Sequence, residues 1–160
     1  MKAIVISATA LIVAASPAYA SAKYLDSVES PVFQTAGDHQ AITKRALTCI
    51  AQIIKPGFID APTVKSSDLD AGIIVANNGF GASWGLLTVS VRTILTFEAK
   101  DGRFKITHTS IEDFSGYPNN QWGKVGIWPG SGYKHIDEGA QTISKNVADC
   151  VMNNNAKSDW

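Results

Sequence analysis

The chain has 160 residues, with 14 Lys and Arg balanced by 14 Asp and Glu to a formal net charge of zero. The basic residues are scattered without a stripe of like charge, which removes the usual ground for expecting nucleic acid or an anionic membrane surface as partner. The length suits one domain rather than two.

The chain opens with Met1-Lys2, an uncharged stretch from Ala3 to Ala15, then Ser16, Pro17 and the small-x-small triplet Ala18-Tyr19-Ala20. This is the order of a secretory signal peptide over residues 1–20, with cleavage expected after Ala20. The apolar run of about 13 residues falls short of the roughly 20 that span a bilayer. No cysteine stands at the cleavage site to carry a lipid. The product is therefore expected in the periplasm or secreted, and not membrane-spanning. Only Lys2 leaves with the signal, so 13 positive charges face 14 negative, a net charge of −1.

Residues 21–31 read as a leader with few contacts, and a single α+β domain is expected over 32–153. Val32 to Thr35 suits a short first strand. Asp38 is a good N-cap, and Ile42, Ala46, Cys49, Ile50 and Ile53 mark one face of a helix that Lys55-Pro56-Gly57 ends. Gly72 to Asn77 reads as a buried strand, followed by a Gly-rich turn from Asn77 to Gly85.

From Leu86 to Ala99 apolar and polar residues alternate, and Asp101-Gly102 signals a two-residue hairpin with a type I′ turn. The turn sets a register. Lys100 falls opposite Arg103, Ala99 opposite Phe104, Phe97 opposite Ile106 and Leu95 opposite His108, with Glu98 facing Lys105. Apolar residues thus meet apolar ones across the pair. Ser115 to His135 reads as an irregular, aromatic-rich loop. A second helix is expected from Asp137, with Ala140, Ile143, Val147, Cys150 and Val151 on its apolar face. Residues 154–160 should fray.

Cys49 and Cys150 are an even pair in an oxidising compartment, which favours a disulfide over two buried thiols. Both lie on the apolar stripes of their helices, so a bridge is reasonable if the two helices cover the same face of the sheet. The element order is β-α-β-β-β-α.

Two segments carry a resemblance. Asp70-Ala71-Gly72-Ile73-Ile74-Val75 is similar to an aspartate–x–glycine–aliphatic strand, and Lys100-Asp101-Gly102-Arg103-Phe104 to a lysine–aspartate–glycine–arginine–aromatic hairpin. With a helix before and after, roughly Asp38 to Asn153 resembles the bacterial exported domain family of unknown function that has a TBP-like fold. The resemblance implies a curved antiparallel β-sheet with two helices packed on one face. It brings no catalytic or binding residues and implies no DNA binding, because the basic concave sheet of the TATA-binding protein is missing.

Gly81-Ala82-Ser83-Trp84-Gly85 matches the G-x-S-x-G nucleophile elbow, and Ser83, Asp101 or Asp113, and His135 follow in hydrolase order. A small periplasmic hydrolase using Ser83 and His135 is the alternative reading, and a purely structural module a third. The elbow requires a helix after the serine, however, and Leu86 onward reads as a strand. Gly79-Phe80-Gly81 lacks the third glycine and the following helix of a phosphate loop, and no cofactor is expected. His39, His108 and His135 are far apart and the cysteines lack C-x-x-C spacing, so no metal site is expected. Glu112-Asp113 and Asp137-Glu138 are adjacent pairs that diverge, with no acid–base spacing between them.

The distinctive feature left is the aromatic loop. Tyr117, Trp122, Trp128 and Tyr133 combine apolar area with polar handles, as a stacking platform for a ligand or an envelope protein would. The bland reading folds them back over the sheet as a satellite core. His108 is placed by the register on the apolar face, either as a satisfied core histidine or as a titrating member of the site. The leading expectation is a non-enzymatic envelope domain that binds a ligand or partner.

Overall fold

The computed structural model describes residues 23–57, 60–115 and 121–154. The expected signal peptide, Tyr117 and residues 155–160 of the expected tail lie outside the described residues.

Helix α1 spans His39–Ile53, and its start is set by Asp38, whose carboxylate accepts from the Ala41 N–H at 2.7 Å. Its stripe of Ile42, Ala46, Cys49 and Ile50 is fully buried. Pro56, unable to continue the helix, follows closely after its end at Ile53.

Strands β1 (Ser27–Glu29) and β2 (Phe33–Gln34) precede α1. Then come β3 (Val64–Asp68), β4 (Ile73–Trp84), β5 (Leu87–Lys100), β6 (Arg103–Ser115) and β7 (Gln121–Lys124), and α2 (Tyr133–Asn153) closes the fold. All strand pairs are antiparallel. The order β6-β5-β4-β3 forms one curved, open sheet, and β7, β1 and β2 pair in turn along the free edge of β6. Both helices pack on the same face.

The β5–β6 register is the expected one at each position named above, including Leu95 opposite His108, and Lys105 Nζ lies 3.0 Å from Glu98 Oε2. The turn differs in type. Gly102 has φ +74 but Asp101 is not left-handed, so this is not a type I′ turn. Asp101 instead binds the start of α1, accepting from the His39 backbone N–H at 2.9 Å and lying 2.9 Å from His39 Nδ1. That contact raises the His39 pKa above 6.5 and holds the Asp101 carboxyl below its usual range.

Four expectations are corrected. The 21–31 leader contains β1, which pairs with β6 and buries Val28. Asn77–Gly85 is no turn: β4 runs unbroken to Trp84. Gly79 serves a close approach, since a Cβ on it would lie 2.4 Å from the Gly57 Cα. The Ser115–His135 stretch contains β7. Finally, α2 begins at Tyr133 rather than Asp137, from Gly132 at φ +75 with no side-chain cap, and Ile136 in its first turn is fully buried.

A bulge divides the core. The β5–β6 pairing shifts between Arg92 and Ile94, and Ser110 takes φ +51. Phe104, Ile106 and His108 face the helices before it, and Ile111 after it. One cluster packs both helices around Phe97, Phe104, Ile50 and Val147. A second, at the other end, packs Val28, Val91, Ile111, Val125 and Ile136. Cys49 and Cys150 bridge the two helices in a disulfide, Cα atoms 5.9 Å apart. Asn154 caps α2 and its Nδ2 donates to both sulfurs, at 3.3 and 3.4 Å.

Candidate functional site

Two tryptophans, each seated on a glycine, form an open groove beside the second core. Trp84, at the end of β4, stacks on His135 in the first turn of α2, ring centroids 6.0 Å apart and planes 8° apart. Gly132 makes room for it, because a Cβ there would fall 2.5 Å from the indole. Trp128 lies across Gly126, where a Cβ would come within 1.4 Å of its ring. The space between them is about 420 Å³, walled further by Ile127, Pro129, Tyr133 and Lys134.

Local hydrogen bonds hold this wall. Ser131 Oγ donates to the Trp128 carbonyl at 2.8 Å, closing a short turn over Pro129-Gly130. The Ile127 N–H donates to the Lys23 carbonyl at 2.9 Å, tying the loop to the start of the described chain. Trp84 and Tyr133 bury one edge in the second core, while Trp128 stays 51% exposed. His135 Nδ1 lies 3.3 Å from Glu138 Oε2. The groove thus offers apolar ring faces with a cation and an imidazole at the rim, which suits a ligand with one flat apolar face.

The aromatic candidates do not form one surface. Trp128 and Tyr133 come together in the groove. Trp122, on β7, lies on the sheet face away from the helices, tilted against Phe114 with centroids 5.4 Å apart and with the Arg92 guanidinium 4.4 Å over its ring. Arg92 Nε also pairs with Glu112 at 2.7 Å, so Trp122 is held as part of a surface cluster.

His108 lies inside the molecule in a buried polar chain that crosses the fold. Asn78 Nδ2 donates to Thr93 Oγ1 at 3.1 Å, Thr93 Oγ1 lies 3.1 Å from His108 Nδ1, and His108 Nε2 lies 3.0 Å from Ser144 Oγ. Which ring nitrogen of His108 carries the proton sets the direction of its bonds to Thr93 and Ser144. Burial pushes the His108 pKa down to about 4, against a weaker upward pull from the Ala140 backbone.

The residues of the hydrolase alternative are dispersed. Ser83 Oγ pairs with Thr88 Oγ1 at 2.8 Å across the hairpin, and β5 follows rather than a helix. Asp101 pairs with His39, and His135 with Glu138. Among the described residues no three His, Cys, Asp or Glu side chains cluster to hold a metal ion.

Solved structures share this architecture. A TBP-like protein from Parabacteroides distasonis superposes with a TM-score of 0.58 at 8% identity, covering 79% of this chain and 92% of that one. A DUF4468 family protein from Bacteroides ovatus gives 0.56 at 17% identity, covering 83% and 91%. The fold is TBP-like. No family model and no curated protein matches the chain.

Within this TBP-like fold the groove sits where the β4–β5 hairpin, the β7–α2 loop and the α2 N-terminus converge. Sequence reading missed Trp84 as a groove residue, having placed it in a turn, and missed the seats Gly126 and Gly132. The one available signal is the Gly126-Ile127-Trp128 spacing, in which a glycine two residues before an indole leaves space for the ring to fold back. Gly126→Ala is therefore expected to move Trp128 while leaving both cores intact. The check is a changed Trp128 indole resonance by NMR with an unfolding free energy within about 1 kcal/mol of wild type.

Proposed function

We propose that this is an exported, non-enzymatic envelope domain that binds a ligand in the Trp84–Trp128 groove, with export cleavage after Ala20. The observation that carries the reading is Trp128, half-exposed yet fixed over Gly126 opposite the Trp84–His135 stack. An aromatic side chain held rigid and open is poised to bind at small entropic cost. The ligand class that fits is a ring with an apolar face and polar edges, a sugar ring above all. The Cys49–Cys150 disulfide fits an oxidising compartment. Among the described residues no helix is long and apolar enough to cross a membrane.

The test is a tryptophan-fluorescence titration with soluble N-acetylglucosamine oligomers and, separately, short unstructured peptides. A saturable change with the oligomers, weakened about fivefold or more by Trp128→Ala, is expected, since stacking on one aromatic ring contributes on the order of 1–3 kcal/mol. Saturation that Trp128→Ala leaves unaltered, or no saturation with either probe, removes the groove assignment.

A further inference from the structure

The β4–β5 hairpin projects beyond the groove with two leucines at its tip. Leu86 is 104% exposed and Leu87 60% exposed. Leu87 stands opposite Trp84, so the tip is continuous with the groove wall where Trp128 and Ile127 are also exposed. Among the described residues, these exposed large apolar side chains gather at one end of the molecule, and Tyr24, paired with Gly126, adjoins them.

We infer that this end is a peripheral membrane contact, in which Leu86 and Leu87 enter the acyl layer of an anionic bilayer and the indoles settle at headgroup depth. Three observations select a lipid surface. The tip is convex and Leu86 packs on nothing, a shape suited to a fluid layer. The indoles are set back from it, matching the interfacial preference of tryptophan. Lys134 lines the groove and the Lys23 backbone adjoins Ile127, while no carboxylate lines the groove. That local cationic rim complements anionic headgroups although the whole chain is neutral. The inference goes beyond the groove reading, because Leu86 and Leu87 do not line the groove.

The experiment is co-sedimentation of the exported protein with vesicles of phosphatidylethanolamine and phosphatidylglycerol, and with phosphatidylcholine alone, at low and high salt. Partition into the anionic vesicles is expected, weakened by salt and lowered at least about tenfold in the Leu86→Ser, Leu87→Ser double variant. The exposed positions should leave the melting curve unchanged. Wild type that stays in the supernatant with the anionic vesicles overturns the inference, and so does unchanged partition of the variant. A wild-type dimer that the double variant abolishes, without vesicle binding, assigns the tip to a second copy instead. Oligomer titrations with the same variant separate the two claims, since they read the groove without the tip.

Discussion

Replacing Cys49 and Cys150 together by alanine is expected to lower the unfolding free energy by about 4–5 kcal/mol. The bridge joins residues 101 positions apart, and closing a loop of that length removes about 4.7 kcal/mol of entropy from the unfolded chain. The loss is large because the bridge spans nearly the whole described domain. It closes α1 onto α2, and with them β3 through β7. For a domain whose total stability is on the order of 5–15 kcal/mol, this is a large share. Cys49 is fully buried, so the alanine also leaves a small void that adds to the cost. Guanidinium unfolding of the variant should show a lower midpoint, with a steeper dependence on denaturant because the unfolded chain expands. A midpoint unchanged from wild type would show that the reduced, unfolded chain keeps the two helices together by other means.

His108 is expected to make the protein acid-sensitive by about 3 kcal/mol. Its folded pKa is depressed from 6.5 to about 4, because charging a fully buried imidazole with only neutral partners is costly. Below pH 6.5 the unfolded chain binds a proton that the native state refuses. The stability from this site is therefore complete above the ordinary imidazole pKa and is lost as pH falls towards about 4. The gap of about 2.5 units at 1.36 kcal/mol each sets the magnitude. Urea unfolding at neutral and acid pH should show this component in wild type and lack it in His108→Gln. That variant should also be weaker at neutral pH, since Thr93 and Ser144 lose their shared partner. Equal acid slopes in the two proteins would mean that the imidazole is solvated or protonated in the native state.

The sequence disclosed some elements and hid others for identifiable reasons. The β5–β6 register was legible because Asp101-Gly102 marks the turn and Phe97 and Ile106 can face each other only one way. Helix α1 was legible because Asp38 and the Ile42–Ile50 stripe give the same start and face. Strand β3 was hidden because Lys65, Ser66, Ser67 and Asp68 are all exposed at the sheet edge, so no alternation records it. The length of β4 was hidden because Gly79 and Gly81 read as turn residues, whereas Gly79 makes space for the backbone of Gly57. The start of α2 carries no capping side chain and is set by burial of Ile136 and the Trp84–His135 stack, both tertiary effects.

The candidate site was half legible for the same reason. Trp128 and Tyr133 stood out by type, but their separation from Trp122 depends on β7, which turns the Trp122 side chain to the opposite face. His108 was placed inward by the register, but its partner Ser144 on α2, and Asn78 on β4, which reaches it only through Thr93, are linked to it by no local pattern.

The groove assignment is tested most directly by native mass spectrometry of the protein produced from the full sequence in a bacterial host, wild type beside Gly126→Ala. The expected wild-type spectrum shows a chain beginning at Ser21, lighter by two hydrogens for the disulfide, and carrying a non-covalent adduct. The variant should show the same chain without the adduct, because Trp128 no longer lies over residue 126. A bare wild-type chain, or an adduct retained equally by Gly126→Ala, would contradict the assignment of ligand binding to the Trp84–Trp128 groove.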